Sequence, residues 1–235
     1  MLARMDNFSN PLFWAVLIGW VLSVTLHEFA HGLVAYLGGD YTIRERGGLS
    51  LNPIHYVDPV MSLILPMVIF LIGGIPLPGG VTYVHDDLLR NRGWKTAVSA
   101  AGPAMNLLLF LILSLALQPR AGWIVAGSSP ATWTNAQLFV ATMAVLQLLA
   151  VLLNLIPVPP LDGFQMISPF LKEDLRLRLT TPPLSSMLFF GYFLLLSSAP
   201  GFLEHIWRVM EAIIRAVGLD ADQLGAAYSL TLFGA

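Results

Sequence analysis

"GWVLSVTLHEFAHGLVAYLGG", residues 19–39, decides how this chain is read. It is apolar enough for a helix that crosses a bilayer, yet His27, Glu28 and His31 sit in its middle. Ionisable side chains at that depth cost at least ~2.5 kcal/mol each on insertion scales, so a helix that keeps three of them has a use for them. Residues i and i+4 share one helix face, so the two imidazoles of His27-Glu28-Phe29-Ala30-His31 can grip a single metal ion. Glu28 projects beside them, placed to take a proton from water rather than to ligate. The competing use, two core histidines bonded to neighbouring helices, leaves Glu28 without a purpose.

Outward from that helix the whole chain has the same character. Of 235 residues, 56% are hydrophobic and 11% charged, against roughly 25% charged in an ordinary soluble domain. Several apolar runs approach or exceed the ~18 residues of a crossing helix. The fold class expected is an all-α polytopic membrane protein with about four to six transmembrane helices. The net charge of −2 offers no basic field for nucleic acid. Absence of cysteine excludes disulfides and thiolate chemistry. The first apolar run is too long for a cleaved signal peptide and holds the ionisable residues.

Strong spans are expected near 11–37, 59–76, 96–118 and 134–156, with a shorter one at 184–199. Residues 202–218 differ: Glu204, Arg208, Glu211 and Arg215 share one face, while Phe202, Ile206, Val209, Ile213 and Val217 take the other. That pattern predicts an amphipathic interfacial helix. The 59–76 run holds Pro66, Gly73, Gly74 and Pro76 and leads into "LPGGVTYV". Gly and Pro break helix there and the β-branched residues favour extension. Irregular backbone at membrane depth survives only when buried or lining a wet cavity, so a re-entrant extended hairpin is expected near 76–86. One membrane-embedded domain, 1–235, is predicted, with its catalytic core at about 11–170.

Re-entry also sorts the charges. It places Arg44, Arg46, Arg90, Arg92, Lys95, Lys172, Arg176 and Arg178 on one side, and Arg4 and Arg120 on the other. A full crossing would move Arg44 and Arg46 and weaken the bias. The positive-inside rule therefore favours re-entry, a non-cytoplasmic N-terminus and a site toward the cytoplasm.

Two histidines do not complete a catalytic zinc site, which has three protein ligands and an open position. Asp162 in "NLIPVPPLDGF" is the best third ligand: it follows the fourth span and a proline-broken segment, and Gly163 permits a tight turn. Its competing role is to cap a helix beginning near Phe164. For Asp162 to meet His27 and His31, the first and fourth spans must run parallel. That needs an odd number of full crossings between them, which re-entry of 59–76 supplies. His55 and Asp58, and likewise His85, Asp86 and Asp87, read as caps and polar loop residues rather than a second metal site.

HEFAH (27–31), AGPAMN (101–106) and NLIPVPPLDG (154–163) together resemble the site-2 protease family of intramembrane zinc metalloproteases. "GGLSLNPIHYVDP" (47–59) is similar to the small bacterial and archaeal branch, and no PDZ-like or CBS-like insertion is visible. The resemblance covers about residues 15–170. It implies that His27, His31 and Asp162 bind one Zn2+ and that Glu28 is the general base. It further implies that Asn154 holds the substrate backbone or the developing oxyanion. Asn106 takes a structural role by the same resemblance, at a close helix approach made by Gly102 and Pro103. "GIPLPGGVTYV" resembles the family's membrane hairpin, whose edge can pair with an unwound substrate.

The implied activity is zinc-dependent endopeptidase cleavage within a transmembrane segment of a membrane-protein substrate, in a prokaryotic plasma membrane. A non-proteolytic zinc-containing membrane chaperone is the alternative, and it would not require Glu28. A metal transporter ranks last, because it needs polar residues at successive depths on several helices.

Overall fold

Asn10 starts the first helix by accepting the Leu12 N–H at 2.9 Å, and Pro11 presets the backbone at the first helical position. The computed structural model describes residues 10–71, 77–125, 127–198 and 200–234. Helix α1 spans Pro11–Gly38 and ends where Gly39, at φ 121°, turns the chain through a conformation that side chains resist. A π-helical turn, Pro59–Ile64, leads into α2, Leu65–Leu71. Helix α3 is Arg92–Ala116, capped by Asn91, and α4 is Asn135–Asn154, opened by a Thr134–Gln137 capping box. Then follow α5 (Asp162–Ile167), α6 (Glu173–Thr180), α7 (Leu184–Ser198), α8 (Pro200–Ala216) and α9 (Ala221–Phe233).

Helices α1, α3 and α4 are long and apolar enough to cross a membrane. The pair α6 and α7, bent by 62°, makes a fourth span if counted as one. The protein is thus an all-α polytopic membrane protein, as its composition predicts. Helix α3 packs against both α1 and α4. Helix α4 is central: Ala141, Ala144, Val145 and Leu146 are wholly enclosed. That explains why its sequence is apolar on every side. Ile18, Leu22, Leu108, Ile112 and Leu115 point outward from α1 and α3, a surface suited to acyl chains rather than water.

The described part of the 59–76 run is too short to cross. Residues 59–71 are helical, and at 1.5 Å per residue they reach only ~20 Å of a ~30 Å hydrocarbon core. The Gly79 N–H donates to Met61 O at 3.1 Å, and Ser62 Oγ donates to Gly79 O at 2.7 Å. The chain is therefore back beside its starting point by residue 79, and leaves and returns at one end of the bundle. Gly73, Gly74 and Pro76, like Arg4, lie outside the described residues. From Leu77 to His85 no helix or β ladder forms among the described residues, but the alternate residues Gly79, Val81, Tyr83 and His85 hydrogen-bond to one side, which is the alternation of an extended run. The expected hairpin is instead a single extended run, pinned by irregular loops. Val81 N–H donates to Tyr56 O at 3.0 Å and Arg46 Nη1 to Tyr83 O at 2.6 Å. The run ends in a 3-10 turn at Asp86–Leu88.

Asp40 anchors this clamp. Wholly buried, it accepts from the Thr42 hydroxyl, from Arg46 Nη2 at 3.0 Å and from the His85 N–H at 2.8 Å. Burial alone would raise its carboxyl pKa, but the hydrogen bonds from Thr42 and His85, with the Arg46 charge, hold it below the ordinary value. Asp58 caps the π-helical turn through the Val60 and Met61 N–H groups and accepts from Tyr83 Oη at 2.7 Å.

Two C-terminal helices complete the core. Helix α8 is amphipathic as its sequence predicts, and it sets Ile206, Met210 and Ile214 of its apolar face into the protein core. Helix α9 was not anticipated: its 13 residues are too few for a span, yet Leu224, Ala227 and Leu232 pack into the same core.

Candidate active site

Three side chains from distant parts of the chain converge. His27 Nε2 and His31 Nε2 lie 3.1 Å apart. Asp162 Oδ2 is 3.2 Å from the first and Asp162 Oδ1 is 3.3 Å from the second. Among the described residues this is the one cluster of potential metal ligands. Both histidines are buried and Asp162 is nearly so. Tetrahedral zinc with bonds of ~2.0–2.1 Å separates its ligand atoms by about 3.3 Å. The 3.1 Å nitrogen pair lies close to that value, each carboxylate oxygen lies within 3.3 Å of one imidazole, and two imidazoles with one carboxylate form an accepted zinc donor set. A metal ion fits these residues.

The remaining ring nitrogens are also engaged. His31 Nδ1 faces Val98 O at 2.6 Å, and His27 Nδ1 faces Asn106 Oδ1. Each ring thereby gives its Nδ1 proton to an oxygen and keeps the Nε2 lone pair for a metal. Asn106 Nδ2 donates onward to Gln147 Oε1 at 2.6 Å. Gly102 faces the ligand atoms themselves. A Cβ placed there would lie 2.3 Å from His31 Nε2 and 2.4 Å from His27 Nε2. The sequence reading gave Gly102 to helix packing; in the structure it lies against the two Nε2 atoms, where only glycine leaves room.

Asp162 reaches the cluster because the chain doubles back after α4. Gly163 presses on the last turn of that helix, and a Cβ on it would meet Leu155 O at 2.1 Å. Its φ is not positive, so the glycine is needed for close approach and not for an unusual turn. Asp162 is the first residue of α5, with Leu161 at the cap position, so its carboxylate does not cap the helix. Thr96 Oγ1 donates to Met166 O at 2.8 Å and ties α5 to α3. His27 and His31 lie in the C-terminal half of α1 and Asp162 lies past the C-terminal end of α4. The two helices therefore run parallel, with α3 the single long crossing between them.

Glu28 is buried beside the cluster, and no hydrogen bond engages its carboxylate among the described residues. The extended run passes directly over it. Thr82 Oγ1 donates to Glu28 O at 3.0 Å, and a Cβ on Gly80 would lie 2.9 Å from Glu28 Cγ. Trp20 Nε1 holds Pro78 O at 2.8 Å. Burial, then the Glu28 charge, push the Tyr56 phenol up to about 12. Tyr56 therefore stays a donor, to Ser50 O at 2.7 Å.

The other sequence candidates lie apart. Asn154 ends α4, half-buried, and is not in the ligand cluster. Asp58 is a cap, as expected, and His85 with Asp87 forms only an exposed 3.9 Å pair. Sequence reasoning missed Gln147. Its signal was available: it lies seven residues before Asn154, two turns away on the same face of an otherwise apolar helix.

Known proteins extend the comparison. The chain is 40% identical over 163 residues to a Mycolicibacterium smegmatis protein named "Putative zinc metalloprotease Rip2", covering 69% of this chain and 60% of the relative. Rip2 of Mycobacterium tuberculosis matches to the same extent. YwhC of Bacillus subtilis, named with the same description, is 30% identical over 199 residues, 84% of this chain and 86% of the relative. The chain belongs to the site-2 protease family of zinc metalloproteases. It spans about 60% of the length of the mycobacterial relatives it matches. No protein-family model matches the chain, and no solved structure does.

Proposed function

We propose that the chain is a zinc-dependent intramembrane endopeptidase that cleaves a peptide bond within a transmembrane segment of a membrane-protein substrate. The observation that carries this reading is the buried His27–His31–Asp162 cluster beside an unengaged Glu28, overlaid by extended backbone. His27, His31 and Asp162 would hold one zinc ion, which when bound supplies Lewis acidity that acidifies water and polarises a carbonyl. Glu28 takes the proton of the attacking water as its oxygen bonds to the scissile carbonyl carbon. The same carboxyl then gives that proton to the amine as the C–N bond breaks. Asn154, half-buried at the end of α4, is assigned to the substrate backbone or the developing oxyanion, where an oxyanion donor of this kind is worth ~3 kcal/mol. The basic residues that re-entry gathers on one side, Arg44 and Arg46 among them, orient the site toward the cytoplasm of a prokaryotic plasma membrane.

A helical substrate shields its peptide bonds, so it must be held unwound. In an extended run successive residues present their main-chain groups to opposite sides. Gly79, Val81, Tyr83 and His85 spend theirs on the 40–62 region. The main-chain groups of Gly80, Thr82 and Val84 face away from it, without hydrogen-bond partners among the described residues. They form the edge on which an unwound strand can pair. Gly80→Val, which would crowd Glu28 and Val24, is expected to lower cleavage about 10²-fold through misplacement of this run, with zinc content unchanged. Gly79→Ala meets nothing nearer than 3.4 Å and is expected to be silent. Equal cleavage by Gly80→Val and wild type would remove the edge from the proposal.

The function itself is tested with purified protein and a single-span substrate in proteoliposomes. Cleavage inside the apolar segment, mapped by mass spectrometry, should stop on chelation and return with one equivalent of zinc. Zinc uptake without cleavage would leave the chaperone reading instead.

A further inference from the structure

Gln147 is wholly buried on α4 between apolar neighbours, and its Nε2 has no partner among the described residues. A buried donor left unpaired is a net cost. What the side chain contributes in return is Oε1, which accepts from Asn106 Nδ2 at 2.6 Å. Asn106 presents its oxygen to His27 Nδ1. The three residues come from α4, α3 and α1, so one hydrogen-bonded line crosses the bundle to a metal-facing imidazole.

The line controls which nitrogen of His27 carries the proton. A primary amide can turn by half a rotation and exchange its oxygen for its NH2 group. Turned that way, Asn106 would donate to His27 Nδ1. The ring would then accept at Nδ1, hold its proton on Nε2 and lose the lone pair that faces Asp162 and His31. Without an acceptor at position 147, the buried Asn106 NH2 group would have its best remaining acceptor in that same ring nitrogen. We propose that Gln147 is a positioning residue of the metal centre: by accepting from Asn106 it keeps the amide oxygen on His27 Nδ1 and leaves His27 Nε2 free to ligate. The inference rests on the metal-centre reading above and not on proteolysis.

The test is zinc affinity of the purified full chain, read by competition with a chromophoric chelator. Gln147→Met keeps length and removes the acceptor, and it is expected to weaken zinc binding about 10–100-fold. Gln147→Asn, which retains polarity but withdraws the amide by one methylene, should show the same direction of loss and covers the case in which the methionine variant does not fold. Gln147→Glu keeps an acceptor and should restore near wild-type affinity. In an Asn106→Asp background no N–H competes for the ring, so Gln147→Met should have no further effect. A merely structural role would produce the same loss in both backgrounds, and that result overturns the proposal. So does wild-type affinity in Gln147→Met or in Gln147→Asn. A wild-type chain that takes up no zinc would instead overturn the metal centre itself.

Discussion

Glu28→Gln is expected to lower peptide-bond hydrolysis by about 10²–10⁴-fold, the usual contribution of a positioned acid–base group, while zinc content stays at the wild-type level. The two halves of this expectation have separate causes. The candidate ligand atoms belong to His27, His31 and Asp162, which converge closely enough to hold one metal ion. Glu28 is next in sequence to His27 but has no atom in that cluster, so an amide of the same shape leaves the cradle intact. The proton transfer is lost because an amide has no basic oxygen near neutral pH. The substitution is also benign for folding: no hydrogen bond to the Glu28 carboxylate exists among the described residues to be broken. Cleavage assay and metal analysis on one preparation check both halves. Full cleavage by Glu28→Gln would remove the base assignment, and loss of zinc would move Glu28 into the ligand set.

How far the sequence reaches can be judged at particular residues. His27, Glu28, His31 and Asp162 were legible because ionisable groups in an apolar chain are few, and each needs a reason to be there. The parallel course of α1 and α4 followed from requiring those ends to meet. Helices α1, α3 and α4 were legible from apolar length, and their ends lie near Asn10, Asn91 and Thr134, residues that cap. What was not legible depends on close approach in three dimensions. Gly163 looks like a turn residue until Leu155 O is found against it. The apolar face of α8 looks suited to lipid until the core that receives it is built. Helix α9 is too short to announce itself and gains its place from packing against α4. Gln147 reads as an ordinary interhelical polar group until Asn106 and His27 line up with it.

Gly102 joins the local and the three-dimensional view, because they predict opposite signs. On helix propensity alone, Gly102→Ala inside α3 should stabilise the protein by up to about 1 kcal/mol. The structure forbids that gain. The new methyl group would fall between His27 Nε2 and His31 Nε2, closer to each than any non-bonded carbon can lie. It would occupy the region the ligand atoms share. The rings cannot swing aside freely, since His31 Nδ1 is held by Val98 O and His27 Nδ1 by Asn106. Displacing them breaks both contacts, at about 1 kcal/mol each. Gly102→Ala should therefore lose zinc affinity by at least ~10²-fold, beyond what loss of a supporting hydrogen bond produces, and lose cleavage with it. The remaining helices keep their packing, so the variant should stay monodisperse in detergent with unchanged helical content. Chelator competition and circular dichroism on the same sample read the two effects. A zinc-loaded, fully active Gly102→Ala would mean that α3 does not press on the two imidazoles, and Gly102 would lose its place in the metal cradle.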